Sequence, residues 1–220
     1  MKWLTEEWAR DYMENVLGEG AQCFVIPEDE GFDRVFDQAF SWFRGTEIVF
    51  PEGIVYIGRE ACANCSGLRH VTLPGTLKYI DDKAFYRCLR LRDVDFPEGL
   101  EGIGVGAFED CYSLRRVSIP GSVKTVESRA FCHCRNLKCI RLHEGTEWLE
   151  YMAFGNNRSL FWFTRLHLPR SIIYAKIRGG IREDSIWEAF SGSSCAKPLR
   201  KRIPYWKNRK KGAEALNEGW

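Results

Sequence analysis

A chain of 220 residues with 45% hydrophobic side chains is long enough for one packed domain with a small appendage, and disorder throughout is excluded. With 32 basic against 30 acidic residues, the net charge of +2 gives no global pull toward nucleic acid or an anionic membrane, so electrostatic partners must be read from local clusters. No stretch reaches the roughly eighteen consecutive apolar residues that a membrane-spanning helix needs.

The first segment, residues 1–23, carries charges every few positions and lacks the apolar run of a secretory signal. That gives the expectation of a cytoplasmic protein, or of a cell-surface adhesion protein if the gene start is incomplete. Over 3–17, Trp3, Leu4, Trp8, Tyr12, Val16 and Leu17 recur roughly every three to four residues, which predicts an amphipathic helix capping the next part of the chain.

From residue 24 onward the chain is an internal repeat. Ala39, Ala61, Ala84, Ala107, Ala130 and Ala153 stand 22, 23, 23, 23 and 23 residues apart, and all but Ala61 precede a Phe. Cys65, Cys88, Cys111 and Cys134 come four residues after their alanine, and Leu68, Leu91, Leu114 and Leu137 seven after. Val71, Val94, Val117 and Ile140 come next, and Pro51, Pro74, Pro97 and Pro120 close their units. An inner apolar position is filled by Val35, Ile57, Ile80, Ile103, Val126 and Leu149. Over residues 24–169 this pattern resembles the BspA-like branch of the leucine-rich-repeat family. Its clearest copies are Ile80-x3-Ala84-Phe85-x2-Cys88-x2-Leu91-x2-Val94, Ile103-x3-Ala107-Phe108-x2-Cys111-x2-Leu114-x2-Val117 and Val126-x3-Ala130-Phe131-x2-Cys134-x2-Leu137-x2-Ile140. The ends depart from it: Phe43 and Asn157 stand at the cysteine position, Cys62 replaces Phe, and His143 replaces Pro.

The resemblance and the residues imply one architecture, an α/β repeat. It is a right-handed solenoid of about six coils with a parallel β-sheet face, short helical or 3₁₀ turns opposite, and the helical cap before it. Stretches such as Leu114–Ile119 alternate apolar and polar at their end, as a short strand with one buried face should. Ala-Phe opens the opposing turn, where a small residue lets coils approach. Residues 170–196, with Ile172, Ile173, Tyr174, Ile186, Trp187 and Phe190, are expected to cap the far end, and 197–220 form a basic tail.

Stacking aligns outward side chains into rows. Directly after the repeat leucine come Arg69, Arg92, Arg115 and Lys138, a column of cations about 5 Å apart at strand spacing. Beside them lie His70, Asp93 and Arg116, and beyond the next core residue Thr72, Asp95, Ser118 and Arg141. These are the candidate binding residues, for another protein that is acidic where it meets the column. The family implies the same class of role, protein recognition. The tail encloses Tyr205 and Trp206 among lysines and arginines, and is the alternative, for nucleic acid or an anionic surface.

No catalytic constellation, metal site or cofactor motif is expected. Walker-A, H-E-x-x-H and G-x-S-x-G patterns are absent. Cys62-x-x-Cys65, and Cys132-x-Cys134 with His133 and Cys139 nearby, suggest zinc by composition, but the repeat accounts for Cys65 and Cys134 as core. Oligomeric state is left open.

Overall fold

The computed structural model describes residues 2–18, 20–157, 165–169, 189–191 and 193. Within them the chain winds as a parallel-sheet solenoid whose coils share one continuous core of Phe, Leu, Ile, Val, Ala and Cys side chains. The predicted tail and most of the predicted C-terminal cap lie outside the described residues.

Most coils contribute two short strands. One set forms an unbroken seven-stranded parallel sheet: Trp3–Leu4, Arg34–Val35, Tyr56–Ile57, Tyr79–Ile80, Gly102–Ile103, Thr125–Val126 and Trp148–Leu149. The second residue of each pair is the inner apolar position of the repeat and is buried; the first faces outward. The other set comes after the repeat leucine and makes two three-stranded sheets. One joins Cys23–Val25, Glu47–Val49 and His70–Thr72; the other joins Arg116–Ile119, Cys139–Leu142 and Arg165–His167. Between them a single parallel bridge, His70 to Asp93, is all that the Val94 coil supplies. That coil reads Asp93-Val94-Asp95, and aspartate is among the poorest strand residues. The longest sheet thus lies not on the face where sequence alternation predicts the strands, but one side further round the coil.

Opposite the strands, the Ala-Phe segments form tight turns closed by bonds three residues long. Ala84 N–H donates to Asp81 O at 3.2 Å and Tyr86 N–H to Lys83 O at 2.9 Å. They are not continuous helix, because a left-handed residue recurs every fourth position. Lys83, Arg87, Asp110, Arg129 and His133 have φ of 55°, 57°, 62°, 58° and 58°. Such a backbone costs about 1–2 kcal/mol per non-glycine residue, and a ladder between coils offsets it. Lys83, Phe85 and Arg87 donate to the carbonyls of Val105, Ala107 and Glu109 at 2.9, 2.8 and 2.9 Å, and the pattern repeats along the stack.

Inside this ladder Phe85, Phe108, Phe131, Phe154 and Phe190 stack face to face, with centroids 5.1, 5.2, 5.4 and 5.3 Å apart. Phe190 belongs to a further turn. Phe154 and Asn156 donate to the carbonyls of Ala189 and Ser191 at 2.7 Å each, so Ala189-Phe190 closes the column that Ala153-Phe154 would otherwise leave open. In the second coil Cys62 replaces the ring. The aromatic cluster of Phe24, Phe40, Phe43 and Phe50 fills the first coils instead.

The N-terminal cap differs from its prediction at both ends. Trp3 and Leu4 are a strand, paired with Arg34 and Val35, so the long sheet begins before the helix. Thr5 then caps the helix Glu6–Tyr12, its side chain accepting from Trp8 N–H at 3.3 Å. A wider π-type turn carries the chain over Met13–Leu17 to Gly18, whose φ of 83° ends it. Ala9 is buried, and Trp8, Tyr12 and Leu17 pack on the core, whereas Val16 is exposed.

Candidate functional site

Three outward rows can carry chemistry. The first is the predicted cation column. Arg92, Arg115 and Lys138 donate their backbone N–H to the carbonyls of Arg69, Arg92 and Arg115 at 3.2, 3.0 and 2.8 Å, so the four residues stack in register, one per coil. All four side chains are exposed, and among the described residues none has a carboxylate within ion-pair distance. The neighbouring row is partly satisfied. Arg116 Nε reaches Asp93 Oδ1 at 3.0 Å, and Ser118 Oγ lies 3.0 Å from Nε2 of His143, the residue replacing proline. His70, Thr72, Asp95 and Arg141 stand exposed beside them. The structure brings all the predicted residues onto one face, across the interruption between the two short sheets.

The second row was missed from sequence. Along the long sheet the outward residues are Trp3, Arg34, Tyr56, Tyr79, Gly102, Thr125 and Trp148. Arg34 sits between two rings, its guanidinium 5.4 Å from the centroids of both Trp3 and Tyr56. Tyr56 donates its hydroxyl to Asp81, and Tyr79 donates to Glu101 at 2.7 Å; burial and the carboxylate raise the Tyr56 pKa. The Tyr79 ring passes over Gly102, where a Cβ would lie 2.9 Å from a ring carbon. The signal was available: these are the residues immediately before each inner apolar position.

The third row is the turn edge, where charges alternate between coils. Arg87 meets Asp110 and Arg129 meets Glu109, both at 3.9 Å, and His133 Nδ1 stands 3.5 Å from Asp110. Ligand atoms of Glu109, Cys132 and His133 lie within 4.8 Å of one another here. The zinc-like patterns read from sequence separate otherwise. Cys62, Cys65 and Cys134 are buried in the core, and Cys139 is on the strand face.

Beneath this edge the cysteine column does more than pack. The thiols of Cys65, Cys88, Cys111 and Cys134 donate to the carbonyls of Phe40, Cys62, Phe85 and Phe108 of the preceding coil at 3.0, 3.1, 3.2 and 3.3 Å. Asn157 takes the same part toward Phe131 O at 2.9 Å, and Ser193 toward Phe154 O at 2.8 Å. Burial pushes the thiols of Cys88, Cys111 and Cys134 above their ordinary range, so they remain protonated donors. No described cysteine is in a disulfide.

A stack of parallel short strands, tight Ala-Phe turns and a shared core defines a leucine-rich-repeat solenoid. The BspA type leucine-rich-repeat region matches residues 34–160 in six copies, and the chain belongs to that family, which is generally non-catalytic. Solved structures agree on the fold. A leucine-rich cell surface protein from Faecalibacterium prausnitzii A2-165 is 24% identical with a TM-score of 0.56, over 63% of this chain and 42% of that one. Leucine-rich-repeat proteins from Bacteroides ovatus (24%, TM-score 0.50, 68% and 46%) and Eubacterium ventriosum (20%, TM-score 0.50, 79% and 43%) are similar too. This chain spans less than half the length of each of these three. No curated protein matches it. Among the described residues, no helix is long and apolar enough to cross a membrane.

Proposed function

We propose that this chain is a non-catalytic protein-binding scaffold whose strand face, centred on Arg69, Arg92, Arg115 and Lys138, meets an acidic surface of another protein. One observation carries the reading: four cations stand one above another with no described carboxylate to neutralise them, while the turn edge pairs its cations across coils. Like charges at strand spacing repel, and an acidic partner relieves that repulsion while gaining four aligned guanidinium or ammonium donors. Arg141 extends the positive area, and Asp95 and the Arg116–Asp93 pair interrupt it, which favours a partner in one register over any polyanion.

The test is affinity capture from the native host with the wild-type chain and an Arg92→Glu/Arg115→Glu double variant as bait. Loss of a captured protein with the variant, and release of it from the wild type by salt, supports the reading. Capture indifferent to both overturns it. The reading that uses the basic aromatic tail lies outside the described residues, and no structural observation favours it.

A further inference from the structure

The turn edge is periodic except at one place. Two and three residues after the repeat alanine, successive coils carry Ser41-Trp42, Ala63-Asn64, Tyr86-Arg87, Glu109-Asp110, Cys132-His133 and Gly155-Asn156. Residues with strong metal-ligand side chains fill these positions only in two adjacent coils. The ladder sets those coils directly one on the other, with Asp110 N–H donating to Cys132 O at 3.0 Å. The result is a two-by-two square, carboxylates on one coil and thiol and imidazole on the next. The sequence flags Cys132 and His133 by composition, but it takes the stacking to set the Glu109 and Asp110 carboxylates beside them.

We propose that Glu109, Cys132 and a ring nitrogen of His133 form a site for one Zn²⁺ ion, with Asp110 beside His133 as fourth ligand or as the partner that orients the imidazole. The ligand atoms of the first three already lie within 4.8 Å of one another. Donors on one tetrahedral zinc lie about 3.3–3.8 Å apart, given bond lengths of about 2.0–2.3 Å, so binding would draw these side chains together by up to about 1.5 Å. A thiolate, an imidazole and a carboxylate together favour zinc over magnesium or calcium, which prefer oxygen.

The surroundings fit a cation. The carboxylate side chains of Glu109 and Asp110 are only 13% and 16% exposed, and Cys132 is buried. Arg129 and Arg87 stand 3.9 Å from them, beyond hydrogen-bond distance, and both guanidinium groups are more than half exposed and free to swing away. Binding replaces the thiol proton, which leaves to solvent, by a Zn–S bond. Cys132 is not one of the carbonyl-capping cysteines, so its thiol is not committed to the core.

The full chain, stripped with a chelator, is titrated with Co²⁺ as a visible substitute for zinc. One equivalent producing the near-ultraviolet thiolate-to-cobalt band and tetrahedral d–d bands, both erased by Zn²⁺, is the expected result. Cys132→Ser removes the thiolate band. His133→Ala and Glu109→Gln, at side chains outside the core, weaken Co²⁺ binding about tenfold or more with an unchanged circular dichroism spectrum. A band that survives Cys132→Ser, no band at stoichiometric Co²⁺, or affinity unchanged in His133→Ala and Glu109→Gln overturns the site.

Discussion

The turn edge and the post-leucine column are both rows of charged residues stacked one per coil, and they are satisfied in opposite ways. On the turn edge the sign changes between coils, Arg87 to Asp110 and Glu109 to Arg129, so neighbouring coils supply counter-ions to each other there. In the column the sign never changes over Arg69, Arg92, Arg115 and Lys138. Stacking makes equivalent positions neighbours, and therefore turns repetition of a charge into repulsion and alternation into cohesion. The turn edge thus brings opposite charges together across coils, whereas the column stacks like charges, which is what the proposed binding role rests on.

That contrast can be broken at several strengths. The largest effect belongs beneath the turn edge: Phe108→Ala empties the middle of a stack with rings at 5.1 and 5.2 Å on either side, and should cost about 3–5 kcal/mol in urea denaturation. Next, Cys111→Ala leaves the Phe85 carbonyl without its thiol donor and should cost about 1–3 kcal/mol. Cys111→Ser, which keeps a donor, should recover part of that loss; equal melting of the two variants would reduce the column to packing. Arg92→Glu with Arg115→Glu should change stability by no more than about 0.5 kcal/mol for each exposed site while abolishing partner capture. A large destabilisation there would mean that the column is structural after all.

The smallest effect is one of pH. Burial, Glu150 and Asp82 raise the Glu127 carboxyl. A carboxyl whose folded pKa is raised disfavours the ionised fold, so Glu127→Gln should melt higher than wild type at neutral pH. The gap should close as pH falls through the raised pKa, and melting temperatures recorded from pH 7 to 4 check it.

The repeat, its coil number and the identity of the core were legible because every coil must bury the same face, so the apolar positions recur. The predicted binding residues also fell on one face, since register along a stack is set by repeat length alone. Three things were not legible. The long sheet hid because its strands are only two residues long, too short to show alternation, and the more visible Val-x-Ile stretches drew the assignment. Trp3 and Leu4 read as helix because an apolar pair suits either state, and only Thr5 as a cap decides the boundary. The Glu109, Cys132 and His133 cluster spans two coils: the repeat length places Glu109 beside Cys132, but the residue types differ between coils, so no recurring pattern marked the pair out.

Phe190 seats on Phe154 as Phe154 seats on Phe131, yet thirty-six residues separate the upper pair and twenty-three the lower. The stack dictates where a turn must land but not how much chain may pass between landings. Ala189, Phe190, Ser191 and Ser193 therefore act as a stopper, held by the backbone N–H groups of Phe154, Asn156 and Asn157 and by the Phe154 ring. What makes Phe190 the lid of the column is thus its place in the stack and not its distance along the chain.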